Sequence, residues 1–110
     1  MISIKTQNRL IKTEIPAPGT NKIIKSLKKN ESRSMQGQLP IIWSKADGHS
    51  LFDIKGNKFI DFTSTIFVAN VGHSNKNIAN AIRGTLDNPL FSCYAYSNVL
   101  RANYLEKLIQ

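Results

Sequence analysis

Residues 40–62 read PIIWSKADGHSLFDIKGNKFIDF, and this stretch decides the fold. It carries two turn signals, Asp47-Gly48 and Lys55-Gly56-Asn57. Glycine reaches positive φ without a Cβ penalty, and Asp and Asn tolerate the same region, so such pairs close hairpins. The segments between them are short and rich in Ile, Phe and Trp, the residues that suit a half-buried pleated surface. The stretch therefore predicts a three-strand antiparallel meander. Phe52 and Ile54 fall on one face, and Ile60 and Phe62 share theirs, because successive strand side chains alternate. Asp53 and Asp61 flank these strands. A carboxylate pair for acid–base chemistry is one reading; solvated strand residues is the expectation, since nothing nearby in sequence would perturb their pKa.

Downstream, residues 63–77 read TSTIFVANVGHSNKN. The run IFVANVGH is apolar enough for a buried segment. His73 is then either a catalyst or ligand at a segment end, or punctuation before a helix, and the second is expected. Ser74 or Asn75 caps that helix, with Ile78, Ala81, Ile82 and Thr85 or Leu86 on its inner face. Gly84 suits a left-handed C-terminal cap, and LDNPLF reads as a loop. Ser97 opens an amphipathic helix in which Leu100, Tyr104 and Leu108 recur at i, i+4 and i+8, with Leu105 and Ile109 beside them. This apolar period runs to Gln110 without a stop signal, so the chain is expected to be part of something larger.

Upstream, residues 1–19 form an arm ending in IPAPG, whose prolines exclude helix and favour an extended path. Thr20 or Asn21 then caps a helix to about Lys29, with Ile23, Ile24 and Leu27 inward and Lys22, Lys25, Lys28 and Lys29 outward. A polar linker, NESRSMQGQ, completes residues 20–38, and residues 39–110 carry the meander and later helices.

The chain has 110 residues and a net charge of +8, with seven positive side chains and one negative among the first 30. Clustered cations suggest nucleic acid. However, 11 of the 15 basic residues are Lys, beside 14 Ile and 11 Asn, a composition that A- and T-rich codons produce without any such role. No zinc spacing, aromatic RNA-binding pattern or recognition helix accompanies the charge, so a nucleic-acid partner is not expected. No apolar run approaches the roughly 20 residues of a membrane span, and the start lacks the apolar core of a secretory signal. The single cysteine, Cys93, can form no internal disulfide, which fits a reducing cytoplasm.

The residues show no self-contained chemistry. His49 and His73 are 24 residues apart, and Cys93 has no CxxC partner, so no metal set is expected. A Cys93–His73 nucleophilic pair has no supporting local motif, and no G-x-S-x-G, phosphate-loop or dinucleotide pattern is present.

Residues 48–73, GHSLFDIKGNKFIDFTSTIFVANVGH, resemble the early part of class III pyridoxal-phosphate aminotransferases, the group of 4-aminobutyrate, ornithine and acetylornithine aminotransferases. The family pattern is met at thirteen ordered positions: Gly48, Leu51, Phe52, Asp53, Gly56, Asn57, Phe59, Ile60, Asp61, Phe62, Asn70, Gly72 and His73. The flanks ESRSMQGQLPIIW and YAYSNVLRANYLEKL are similar to the family's too, so the likeness covers about residues 31–110. Two positions depart. Thr65 stands where the family commonly has Gly before the Ile, and Gly-His-Ser-Asn-Lys replaces Gly-His-x-His-Pro.

The resemblance implies an α+β segment of helix, meander and helices, belonging to the small domain and the start of a fold type I transferase. It also implies a homodimer that moves an amino group between an amino donor and a 2-oxo acid with pyridoxal phosphate. The family's cofactor-binding lysine, the Asp on the pyridinium nitrogen and the phosphate loop all match positions beyond Gln110. No catalytic or cofactor-binding residue is therefore assigned here, and the chain by itself is not expected to bind the cofactor or transaminate. Ile66 matches a family position that lines the substrate pocket, Phe67 adjoins it, and Tyr96 matches a pocket aromatic. Ile66 and Tyr96 fit pocket wall or core alike, and Phe67 fits core better. The alternatives to a segment of a transaminase are a non-catalytic remnant that docks to another chain, and a small basic nucleic-acid binder.

Overall fold

The structure, a computed structural model, describes residues 3–87 and 95–110. Cys93, named above with His73 as a nucleophilic pair, lies outside the described residues, as does most of the LDNPLF loop. The chain divides into two units, Met1–Asn75 and Lys76–Gln110, and each is taken by itself.

The expected meander is the centre of the first unit. Strand β3 (Trp43–Asp47) pairs antiparallel with β4 (Ser50–Asp53), and β4 pairs with β5 (Lys58–Ile60). The register Asp47↔Ser50 leaves Gly48 and His49 as a two-residue connection, with Gly48 at φ 53°. That is the left-handed conformation for which the Asp-Gly signal selects. Gly56, at φ 75°, serves the second turn. Lys45 and Phe52 face each other across β3 and β4, and the ammonium sits 4.8 Å from the ring centroid, a cross-strand cation–π pair. The register shifts between Trp43 and Lys45, a bulge that re-aims Trp43.

The arm adds two strands, β1 (Ile4–Lys5) and β2 (Leu10–Ile11), so that the sheet has the order β1-β2-β5-β4-β3. Each is two residues long, too short for alternation to register in the sequence. Helix α1 (Thr20–Asn30) follows. Neither Thr20 nor Asn21 caps it. The N-cap is Gly19 at φ 93°, reached through a turn in which the Thr20 N–H donates to the Ala17 carbonyl at 3.0 Å. Thr20 is fully buried inside that turn. Among the described residues the buried apolar side chains are Ile11, Ala17 and Leu51, so the arm supplies much of a small core.

Asn57 ties arm to meander. It is fully buried, and its Oδ1 accepts the Lys12 and Thr13 N–H groups at 2.7 and 3.1 Å. Its Nδ2 donates to Asp53 Oδ2 and Thr13 Oγ1, both at 2.7 Å. Asp53 Oδ1 accepts the N–H groups of Lys55 and Asn57. Asp53 is 3% exposed. The expectation of a solvated strand residue fails there, because the tight turn aims its own amide donors at the carboxylate.

In the second unit, α3 (Lys76–Thr85) and α4 (Val99–Ile109) lie where the apolar period placed helices, and neither has a buried described residue. Two end signals differ. Gly84 is inside α3 and is not in the left-handed region. The cap of α4 is Asn98 rather than Ser97; its side chain accepts the Arg101 N–H at 2.9 Å, which satisfies an orphan donor of the first turn. No described helix is long and apolar enough to cross a membrane. The expected α+β arrangement of helix, meander and helices is present.

Candidate functional site

Immediately after β5 the chain reverses its handedness. Ser64, Thr65, Ile66 and Phe67 have φ of 49°, 54°, 56° and 67°. They form α2 (Ser64–Phe67), one turn with helical hydrogen bonds. The Phe67 N–H donates to Thr63 O at 2.9 Å and the Val68 N–H to Ser64 O. With φ positive throughout, the turn is left-handed, and because all four residues carry a Cβ it costs about 1–2 kcal/mol per residue. β-Branched Thr65 and Ile66 are the most unusual occupants. Thr65 stands where the resemblance puts a glycine, the residue that would adopt this φ freely.

Asp61 holds the entrance of this turn. Its Oδ1 accepts the Thr63 N–H and hydroxyl, both at 3.0 Å, and its Oδ2 accepts the Thr65 N–H at 3.1 Å. Oδ2 also receives the Nε2 of His73 at 2.7 Å. The side chains of Asp61 and His73 are 4% and 15% exposed. His73 is fixed in turn by the main chain: Gly48 N–H donates to His73 O and His73 N–H to Gly48 O, at 3.0 and 2.8 Å. The backbones meet closely here, and a Cβ on Gly72 (φ 86°) would lie 3.4 Å from the Gly48 Cα. The Trp43 ring meets the imidazole edge-on at 6.2 Å, and the Ser74 hydroxyl donates to Ala46 O at 2.7 Å. A cleft of about 150 Å³ opens beside the pair, lined by His49, Asp61, Ser64, Asn70 and His73 among others.

Two expectations are corrected. Asp61 is not a solvated strand residue, because its carboxylate turns in to meet donors from both sides. The segment IFVANVGH is not buried in this chain: Ile66, Phe67, Val68 and Val71 are 73%, 78%, 82% and 63% exposed. Hydropathy foretold a core segment, but the turn directs these side chains away from the sheet. Ile66 and Phe67 thus share one exposed turn. Tyr96 belongs to the other unit, ahead of α4, and is exposed as well. Among the described residues no cluster of three metal-ligating side chains forms. Asp61 and His73, twelve residues apart, were missed as a pair because their spacing has no period. The signal that could have joined them is that both are positions of the family pattern.

The contact with His73 first, and the Thr63 and Thr65 donors after it, lower the Asp61 pKa against an opposing effect of burial. A lowered carboxyl pKa contributes stability that is complete above the unfolded value, roughly 3.9, and is lost as pH falls through the folded one. Below about pH 4, the amide signals of Thr63 and Thr65 and the imidazole signals of His73 are expected to shift together in an NMR titration. In Asp61→Asn this joint transition should vanish.

The chain matches the family model described as aminotransferase class-III over residues 32–110. It is 39% identical over 74 residues to the acetylornithine aminotransferase of Lactococcus lactis subsp. lactis (strain IL1403), covering 67% of this chain and 20% of that protein. The crystal structure of acetylornithine aminotransferase from Elizabethkingia anophelis superposes with a TM-score of 0.71 at 24% identity, covering 81% of this chain and 23% of that one. The structure of taurine:2-oxoglutarate aminotransferase from Bifidobacterium kashiwanohense, in complex with PLP and glutamate, gives 0.67 at 24% identity over 82% of this chain and 21% of that one. These two likenesses show the fold. The chain spans about a fifth of the length of the curated relative. The family match covers most of the chain and contains the meander, the left-handed turn and the Asp61–His73 pair, and on it the chain belongs to the class-III aminotransferase family.

Proposed function

We propose that the chain is the N-terminal portion of a pyridoxal-phosphate-dependent transaminase that moves an amino group between an amino donor and a 2-oxo acid. The observation that supports it is the class-III match over residues 32–110. In this reading the meander belongs to the small domain, residues 1–19 are its arm, residues 20–38 its first helix and linker, and residues 39–110 lead towards the large domain. The whole protein is a homodimer working in the cytoplasm.

The chain's own residues do not fit the cofactor. Covalent attachment needs a lysine desolvated in a pocket, whereas ten of the 11 lysines are exposed and half-buried Lys58 gives its ammonium to the Gln7 carbonyl at 3.1 Å. No lysine lines the cleft beside Asp61. At about 150 Å³ that cleft is also smaller than the roughly 300–1,000 Å³ of ordinary ligand pockets. This chain's part is to shape the site. Ile66, with Phe67 beside it, supplies apolar wall against the carbon chain of the amino donor, where each methylene is worth about 10–200-fold in discrimination.

A chimera tests the reading. The chain replaces the matching fifth of the Lactococcus lactis acetylornithine aminotransferase, and amino transfer to a 2-oxo acid is assayed. Transfer is expected from the chimera and not from the 110-residue chain given pyridoxal phosphate. A chimera that folds and takes up cofactor yet moves no amino group would overturn the proposal and favour a docking role. The exposed apolar stripe of Leu100, Tyr104 and Leu108 on α4 is the observation behind that second reading.

A further inference from the structure

The turn Ser64–Phe67 poses a problem that its own side chains do not solve. Left-handed backbone over four consecutive non-glycine residues needs a compensating interaction, and burial does not supply one, since Ile66 and Phe67 are among the most exposed large apolar residues of the chain. The hydrogen bonds within the turn are those any helical turn makes, of either hand. What is particular to this turn lies at its start. The first N–H groups of a helical turn find no carbonyl inside it, and here the Thr63 and Thr65 N–H groups both end on Asp61. One carboxylate thus does for a left-handed turn what an N-cap side chain does for a right-handed helix.

The carboxylate is itself aimed. His73 Nε2 takes one lone pair of Oδ2, and the double main-chain bridge between His73 and Gly48 anchors the imidazole to the β3–β4 connection. The path from sheet to turn is continuous: Gly48, His73, Asp61, Thr65. We propose that Asp61, oriented by His73, is the positioning residue that holds Ser64–Phe67 left-handed and so fixes the direction in which Ile66 and Phe67 are presented. Its functional meaning rests on the reading of these side chains as pocket wall; its geometry does not. The proposal assigns neither residue a chemical step. It explains why two groups that could do acid–base work are spent on each other.

The test uses the isotopically labelled 110-residue chain. The Cα and Cβ shifts and the HN–Hα couplings of Thr65 and Ile66 report the sign of φ. In Asp61→Ala these signals are expected to leave their left-handed values while the amides of β3, β4 and β5 keep theirs. In Asp61→Ala/Thr65→Gly, where the glycine adopts positive φ freely, Ile66 is expected to recover its left-handed signature. A residue that merely filled space would not be rescued this way. The proposal is overturned if the left-handed signals persist in Asp61→Ala, if that variant loses the sheet as well, or if Thr65→Gly brings no recovery. Failure of the transaminase reading is read elsewhere, in the chimera, where Ile66 variants should change the preferred amino donor. Either result can stand without the other.

Discussion

Replacing Asn57 by alanine is expected to free the N-terminal hairpin from the sheet and to cost the first unit about 4 kcal/mol, estimated from the groups it orphans. Two backbone N–H groups, of Lys12 and Thr13, lose their acceptor, and a carboxylate oxygen of Asp53 loses a donor. Each buried group left unpaired costs about 1–3 kcal/mol. The chain can limit the loss by letting water in, and the weak point is plain. β2 meets β5 through the single register pair Leu10↔Lys58, so little else holds the arm. Release also exposes Ile11 and Ala17, two of the three buried apolar side chains among the described residues. Against a total of about 5–15 kcal/mol for a small domain, the unit should be close to unfolding. Urea titration followed by circular dichroism gives the loss, and amide exchange at Lys12 and Thr13 shows where it begins. Asn57→Asp separates shape from charge. It keeps the acceptor but sets a second carboxylate against buried Asp53, which raises the pKa of the introduced carboxyl. Its deficit should therefore shrink as pH falls through that raised value. A deficit independent of pH would mean that the two side chains do not meet.

The same residues mark what the sequence could and could not say. The meander was legible because both its turns carry glycines at positive φ and the segments between them are rich in Ile, Phe and Trp, two local signals that agree. The left-handed turn was not. Thr65 and Ile66 are β-branched and argue for extended backbone, and the carboxylate that overrides them lies outside the turn, with its imidazole partner farther along the chain. Asp53 and Asp61 looked solvated because a strand pattern says nothing about amides that a neighbouring turn aims inward. The cap positions slipped by one residue at α1 and α4, since the rule names residue types and the approach of the chain chooses among them. Hydropathy marked IFVANVGH as a core segment. Burial, however, is a property of what packs against a segment, and within this chain nothing described covers Ile66 or Phe67.

That difference between apolar and buried sets up the second large effect. Leu51→Ala is expected to cost about 2–5 kcal/mol, as large-to-small changes in a core do, whereas Phe67→Ala should change stability by no more than about 0.5 kcal/mol. Leu51 is 5% exposed on β4, the middle strand of the meander, opposite Ala46 on one side and Phe59 on the other. Its removal leaves a hole that paired strands on both sides prevent from collapsing, and few buried neighbours remain to share the loss. Phe67 is the larger side chain, yet at 78% exposure it has little contact to lose, so size ranks the two residues the wrong way round. Urea unfolding of both variants at two protein concentrations decides the matter. A large loss at Leu51 alone puts the stability in the sheet and leaves the turn free to serve as wall for something outside this chain. A comparable loss at Phe67 that grows with concentration would instead place the turn in a contact between copies.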